Sequence, residues 1–318
     1  MEKSKKAIVT GGAGFIGSYL VEKLLKQYEK VIVLDNFSSG RIENLENVKE
    51  NKKLKIVKVD LRNKNGIDEY FKECDVVFHL AANPEVRILD PKTHYENNFL
   101  TTYNVLEAMR KKDVKNIVFT SSSTVYGEAK KIPTPEDYGP LIPISLYGST
   151  KLACEGLICG YSHTYSMNGF IFRFANVVGG RSTHGVIYDF IQKLKKNKNE
   201  LEILGDGTQR KSYIHVNDCI EAILYVLKKE KSNLSIYNIG NFDSTPVYKI
   251  ADIVIDELGL KNVKKKFVNS ANNGRGWVGD IKYMQLDISK ITSLGWKPKL
   301  NSDKAVRKAC KETINNNH

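Results

Sequence analysis

Short apolar runs, each closed by a small or polar residue, punctuate the first half of the chain. They fall at residues 5–10, 30–35, 54–60, 75–80 and 115–121, and their length and β-branched content predict buried strands. Between them, near 15–28, 63–73 and 92–112, apolar residues recur at helical spacing, as in Ile16, Leu20, Leu24 and Leu25. The alternation predicts an α/β fold, a doubly wound parallel sheet with helices on both faces. Such sheets bind ligands outside the carboxyl ends of their strands. The positions of interest are therefore Gly11, Asp35, Asp60, Ala81 with Ala82, and Ser121 to Ser123, all small or polar directly after an apolar run.

The rhythm changes beyond residue 127. Pro133, Pro135, Pro140 and Pro143 mark 127–145 as a loop. A long helix is expected from Ser145 to about Ser166, stopped by Asn168-Gly169, and a sixth strand over 170–174. Turns follow at Gly179-Gly180 and Gly205-Asp206-Gly207, then a helix over 217–229 and a strand over 235–239 that returns to the main sheet. The tail from about 243 reads as short helices around the glycine-rich loop Asn272-Asn273-Gly274-Arg275-Gly276-Trp277. The expected division is a dinucleotide-binding domain over 1–175 plus about 212–242, and a smaller mixed α/β substrate lobe over about 176–211 plus 243–318, closing over the cofactor.

The first strand and helix meet in a turn with glycines at 11, 14 and 17. Gly11 allows the sharp turn, Gly14 a close approach of backbone to a pyrophosphate, and Gly17 close packing of helix on strand. A glycine triplet alone is weak evidence; its place between strand and helix strengthens it. Asp35 ends the next strand, 18 residues after Gly17. A carboxylate there hydrogen-bonds an adenosine ribose diol and repels a 2′-phosphate, which favours NAD over NADP.

Composition narrows the partners. Hydrophobic residues make up 41% and charged residues 27% of the 318, the balance of a globular protein. The net charge of +13 is spread as dispersed lysines without a basic stripe interleaved with aromatics, so nucleic acid is not the expected partner and an anionic small substrate is. Five cysteines without Cys-x-x-Cys pairs and six histidines without ligand spacing predict neither a disulfide framework nor a metal. No apolar run approaches the ~20 residues of a membrane span. Met1 to Lys6 run straight into the first strand, so no signal peptide and a cytoplasmic location are expected.

Candidate chemistry lies at 119–127 and 147–151. Tyr147 and Lys151, four apart, share a helix face. The spacing also occurs at Tyr19/Lys23, Tyr126/Lys130 and Tyr225/Lys229; only Tyr147 follows a serine-rich strand end through a loop onto a helix start. A phenol titrates near ~10 and is a poor base at neutral pH. A neighbouring ammonium favours the phenolate, so Tyr147 is expected to be shifted down and to take a hydroxyl proton while hydride leaves the same carbon. Strand alternation points Ser122 and Ser123 to opposite sides without choosing between them.

Taken together, Thr10-Gly11-Gly12-Ala13-Gly14-Phe15-Ile16-Gly17, Asp35-Asn36, His79-Leu80-Ala81-Ala82, Ser121-Ser122-Ser123-Thr124-Val125-Tyr126-Gly127 and the Tyr147/Lys151 pair resemble the extended short-chain dehydrogenase/reductases, and among them the nucleotide-sugar epimerases. The resemblance covers nearly the whole chain, continuing through Arg173 to Gly179, Gly205 to Gln209 with Tyr213 to Val216, and Gly279-Asp280. It implies a Rossmann domain, bound NAD, and an isomerase that interconverts UDP-glucose and UDP-galactose, or their N-acetylated forms, through a transient 4-keto sugar. By resemblance, Tyr147, Lys151 and Ser122 are catalytic, with Ser122 chosen by alignment on Val125-Tyr126-Gly127. The cofactor would be lined by Gly11, Gly14, Phe15, Ile16, Gly17, Asp35, Asn36, Phe37, Ser38, Gly40, Asp60, Leu61, Leu80, Ala81, Ala82, Asn98, Ser121, Tyr147, Lys151 and Ala175. The UDP-sugar would meet Ser122, Ser123, Thr124, Tyr147, Asn176, Val186, Gln209, Lys211, Arg275 and Asp280.

Three departures bear on that reading. Lys211 stands where the family usually has an arginine, and an ammonium holds phosphate with less directional control than a guanidinium. Trp277 stands where the later phosphate-binding arginine is usual, with Arg275 as its substitute. Met284 occupies the position whose size is linked to acceptance of N-acetylated sugars. The related 4,6-dehydratases carry Asp-Glu after the catalytic hydroxyl; Ser123 and Thr124 stand there, which argues against dehydration. The alternatives are a uronate 4-epimerase, a decarboxylase or a 4-reductase, for which Arg87 and Arg181 are candidate cations, and a non-catalytic dinucleotide-binding scaffold. The long helices near 92–112 and 146–167 imply a homodimer by the same resemblance.

Overall fold

A computed structural model describes residues 5–268 and 274–316. The first stretch holds β1 (Lys6–Thr10), α1 (Phe15–Leu24), β2 (Lys30–Asp35), β3 (Leu54–Lys58), α2 (Asp68–Phe71), β4 (Val76–His79), α3 (Pro91–His94), α4 (Thr101–Lys111) and β5 (Asn116–Ser122). There follow α5 (Leu146–Tyr165), β6 (Asn168–Phe174), β7 (Asn176–Val178), α6 (Val186–Lys196), β8 (Glu200–Leu204), β9 (Arg210–Lys211), β10 (Tyr213–His215) and α7 (Val216–Lys229). The chain closes with β11 (Leu234–Ile239), β12 (Thr245–Pro246), α8 (Val247–Glu257), β13 (Lys264–Val268), β14 (Tyr283–Met284), α9 (Ser289–Ser293) and α10 (Ser302–Asn316).

Seven strands form the main sheet in the order β11-β6-β5-β4-β1-β2-β3, the doubly wound arrangement expected from the alternation. The pairings of β1 with β2 and β4, β2 with β3, and β4 with β5 are parallel, and Thr10 lies opposite Leu34 on one side and His79 on the other. The strand expected over 235–239 does return to this sheet, as its β11 edge.

The chain divides into two compact units. The first runs to Ser122 and adds Leu146–Phe172 and Leu227–Tyr237. Its core packs Ile8, Leu34, Phe71, Leu106, Met109, Phe119 and Ile158, all essentially solvent-free. The second comprises Ser123–Ser145, Arg173–Val226 and the chain from Asn238 onward, with small sheets β10-β7, β12-β9-β14 and β13-β8. Its core gathers Ile187, Ile191, Leu201, Ile203, Val254 and Val306.

Three local expectations change. The helix expected over 63–73 shrinks to Asp68–Phe71, because Asn63 closes a turn onto the Asn65 N–H and Gly66 takes a φ of 76° that breaks helix. The helix expected near 92–112 carries a π-helical turn at Tyr95–Leu100, where Asn97 Nδ2 and Thr101 Oγ1 donate to the carbonyls of Thr93 and Glu96 and compete with the regular ladder. The tail is more regular than short helices: α8 and α10 carry much of the second core. Asn272 and Asn273 lie outside the described residues. Among the described residues no helix is long and apolar enough to cross a membrane.

Candidate active site

β1 delivers the chain to Gly11, which turns with a φ of 66° and comes so close to the end of β4 that a Cβ would lie 2.8 Å from the Ala81 nitrogen. At Gly17 a Cβ would lie 2.2 Å from the Gly11 carbonyl oxygen, so only glycine lets α1 start this close to the turn. No side chain caps α1, and its first helical bond runs from Ser18 N–H to the Gly14 carbonyl at 3.1 Å. The N–H groups of Phe15, Ile16 and Gly17 precede that bond, at the positive end of the helix dipole, which suits a phosphate.

Asp35 is buried at the end of β2 and accepts the N–H groups of Ala13 at 2.9 Å and Phe37 at 2.8 Å. Burial pushes its carboxyl up, and those two bonds oppose the shift. A Cβ at Gly40 would lie 2.9 Å from both carboxylate oxygens, so glycine lets the next loop close on the acid. Asn36 accepts the Ser38 N–H at 3.0 Å in the same loop, and Phe37 sits in the left-handed region. This donor set, a glycine cradle with a carboxylate at the next strand end, fits an adenine dinucleotide. Asp60 contributes differently from expectation: its carboxylate is held bidentately by Arg62, at 3.0 Å to Nε and 2.6 Å to Nη2, and is lowered by that bond.

The proton-handling groups come next. Ser122 ends β5, and its hydroxyl is hydrogen-bonded to the phenol of Tyr147 in the first turn of α5. Lys151 is one turn further along α5; its Nζ donates to the Thr120 carbonyl at 2.8 Å and lies 4.7 Å from the Phe119 ring centre and 5.9 Å from that of Tyr147. Burial pushes the phenol up to about 12, with the Ser122 bond opposing, and pushes the ammonium down to about 8. The expected lowering of Tyr147 is therefore corrected. Desolvation by burial dominates, opposed by the Ser122 bond, and the Lys151 ammonium directs its proton at the Thr120 carbonyl rather than at the phenol.

A buried network supports these groups. Thr10 Oγ1 accepts the N–H groups of Leu80 and Ala81, each at 3.2 Å, so its own proton goes to His79 Nδ1 at 2.7 Å. That leaves His79 Nε2–H to donate to Thr102 Oγ1 at 3.0 Å. Burial, helped by the Lys151 charge, drives the imidazole down to about 3 and keeps it neutral. Asn98 accepts the Asn83 N–H at 2.7 Å and donates to Thr150 Oγ1 at 3.1 Å, while Thr150 donates to the Tyr147 carbonyl at 3.0 Å. His94, also buried, places its ring 6.2 Å from that of Tyr147. Ser121, expected at the cofactor, turns its hydroxyl to the buried carboxylate of Glu155. Sequence reasoning missed Glu155, although the signal was present: a carboxylate four residues after Lys151 on the same helix face.

In the second unit, Asn176 is hydrogen-bonded through its side chain to Tyr213, and Val186 opens α6. Ser123 and Thr124 lie in a single 3₁₀ turn, and Ala175 is buried. Lys211 Nζ pairs with the buried Asp280 at 2.6 Å and stacks 5.1 Å from the Trp277 ring centre. Asp280 also accepts the Gly276 N–H at 3.0 Å. Arg275 is ion-paired with Glu128. Both cations expected at phosphate thus hold carboxylates. Gln209 is buried with Nε2 on the Leu204 carbonyl at 3.0 Å, while its Oε1 and the Trp277 Nε1 are buried without a hydrogen-bond partner among the described residues. Met284 is buried and pairs in register with Lys211.

Comparison with known proteins places this geometry. Residues 7–240 match the model of the NAD dependent epimerase/dehydratase family. A Methanocaldococcus jannaschii protein with the provisional name UDP-glucose 4-epimerase is 37% identical over 98% of this chain and 99% of its own. A crystal structure of a UDP-galactose 4-epimerase is 43% identical, covers 98% of this chain and 99% of its own, and superposes with a TM-score of 0.86. The UDP-glucose 4-epimerase of Thermotoga maritima, solved with UDP-glucose, is 30% identical with a TM-score of 0.86 over 98% of this chain and 100% of its own.

Proposed function

Because the chain belongs to the NAD dependent epimerase/dehydratase family, we propose that it is a nucleotide-sugar 4-epimerase that interconverts UDP-glucose and UDP-galactose through a 4-keto sugar. The observation that carries this reading is the Ser122–Tyr147–Lys151 arrangement at the end of β5, followed at 123 and 124 by hydroxyls rather than carboxylates. It has the groups for moving a proton at a sugar hydroxyl and lacks a second acid for eliminating water.

As the phenolate, Tyr147 removes the proton of the sugar 4-hydroxyl, and as the phenol so formed it returns that proton after the keto sugar has turned over. Ser122 hydrogen-bonds the phenol and holds the same sugar oxygen in line with it. Lys151, 5.9 Å from the Tyr147 ring centre, supplies positive charge on the side of the phenolate. NAD, held by the glycine turn and Asp35, supplies the hydride acceptor and the returning hydride. Asp35 takes the adenosine ribose and rejects a 2′-phosphate.

The diphosphate falls to Asn176, Lys211 and Arg275. The Arg275–Glu128 pair is partly exposed and weakly held, so its guanidinium can transfer to phosphate. Lys211 keeps Asp280 and still has further N–H donors to offer. Dinucleotide binding is assigned to 1–175 with about 212–242, and substrate recognition to about 176–211 with 243–318.

The assembly proposed is a homodimer through α4 and α5. Tyr95, Tyr103 and Tyr165 leave 51%, 41% and 42% of their surface exposed beside these helices, more aromatic surface than a solvated helix pair needs. Five free cysteines suit a reducing cytoplasm. The test of the mechanism is UDP-glucose carrying deuterium at carbon 4. The UDP-galactose formed is expected to keep the label at that carbon; washout to solvent would contradict a retained hydride.

A further inference from the structure

The Tyr147–Lys151 pair contains one anion that the mechanism above does not use. Glu155 lies one helical turn beyond Lys151 on α5 and is 3% exposed. Its carboxylate accepts the hydroxyl of Ser121, and the residue before Ser121, Thr120, gives its carbonyl to the Lys151 ammonium at 2.8 Å. Two successive residues at the end of β5 therefore hold the two ends of one Lys–Glu turn.

Other groups around Lys151 cannot provide a countercharge. From β4, His79 is neutral and both its ring nitrogens are engaged by threonines. From β5, Phe119 offers a ring face. On α5, burial pushes the Cys154 thiol up, which leaves it uncharged at neutral pH, and the Tyr147 phenol likewise. The electrostatic influences that favour the Lys151 ammonium come from Cys154 and then Glu155, and of the two only Glu155 carries a carboxyl. It lies two turns from Tyr147, roughly 12 Å along the helix, so it acts on the lysine far more than on the phenol.

We infer that Glu155 is a positioning residue: its buried carboxyl, one turn beyond Lys151 on the same helix face, seats the Lys151 ammonium and ties the helix to the end of β5 through Ser121. The catalytic consequence rests on the epimerase reading above; the electrostatic claim does not. Burying a lone ammonium is costly, and a carboxylate within the same turn, itself hydrogen-bonded, offsets that cost. The strand end that carries Ser122 is then fixed by the same helix that carries Tyr147.

The test is carbon NMR of the purified protein without substrate, using lysine labelled at Cε and glutamate labelled at Cδ. The resonances are assigned by their loss in Lys151→Met and Glu155→Asp. The Glu155 carboxyl is expected in its ionised position at pH 7, a reading that needs no folded neutral variant. In Glu155→Gln, where the amide oxygen still accepts from Ser121, the Lys151 titration should move down by about one pH unit, and in Glu155→Asp it should stay near wild type. A neutral Glu155 at pH 7, or an unchanged Lys151 midpoint in Glu155→Gln, overturns the inference. Where wild type epimerises UDP-glucose, Glu155→Gln should lower kcat about fivefold at pH 8 with KM unchanged, since moving a midpoint near 8 down by one unit takes the charged fraction at that pH from about one half to about one eleventh. Absence of turnover in wild type would count against the epimerase reading and leave the NMR result standing.

Discussion

Tyr147 carries the account at the scale of single residues. Its phenol is buried and hydrogen-bonded to Ser122, so Tyr147→Phe removes one oxygen and leaves the glycine turn and Asp35 intact. NAD affinity by titration should stay within a few-fold of wild type, while turnover should fall by about 10²–10⁴. Lys151 gives a linkage prediction with a definite sign. Its folded value near 8 lies below the ordinary 10.5, so between those values the unfolded chain binds more protons than the folded one, and stability rises with pH across that window. Denaturant titrations of wild type against Lys151→Met should show wild type gaining relative stability from pH 7.5 to 10, by at most on the order of 3 kcal/mol. A flat difference would show that folding does not lower the Lys151 titration. Asp35→Asn keeps an acceptor for the Ala13 and Phe37 N–H groups and removes the charge, so the preference for NAD over NADP should narrow by about tenfold or more in equilibrium binding.

The glycine turn between β1 and α1 was fully legible at the scale of elements, because each glycine answers to a backbone requirement that sequence order exposes. Gly17 is the sharpest case: Gly17→Ala would drive a methyl into the Gly11 carbonyl oxygen. It should cost about 1–3 kcal/mol in denaturant unfolding and weaken NAD binding in the same variant. The strand ends were legible for the same reason, since apolar runs must stop where ligands are met. What escaped was decided by which side-chain partners the fold selects, some local and some distant. Asp60 reads as a free carboxylate at a strand end, yet Arg62, two residues on, takes both its oxygens. Ser121 reads as part of a cofactor-facing serine cluster, yet Glu155 from α5 claims its hydroxyl. Lys211 and Arg275 were legible as cations but not as cations already holding Asp280 and Glu128, because those partners come from distant segments. The π-helical turn before α4 has no period of its own in the sequence; it arises where Asn97 and Thr101 bond back to the ladder.

For the whole molecule, the net charge of +13 is consistent with an anionic small substrate. Light scattering at micromolar concentration should give twice the mass of one chain, and Tyr103→Glu, which puts a charge among the exposed tyrosines of α4 and α5, should shift that mass toward one chain without changing the fold. A single-chain mass for wild type would remove the dimer from the account.

The central claim is that this chain turns over a UDP-hexose at carbon 4 without net redox. Proton NMR of the anomeric region, with UDP-glucose, the purified protein and trace NAD, tests it most directly. A second anomeric signal matching UDP-galactose should grow to a steady ratio without added reductant. A spectrum that stays that of UDP-glucose, with NAD shown to be bound, would contradict it.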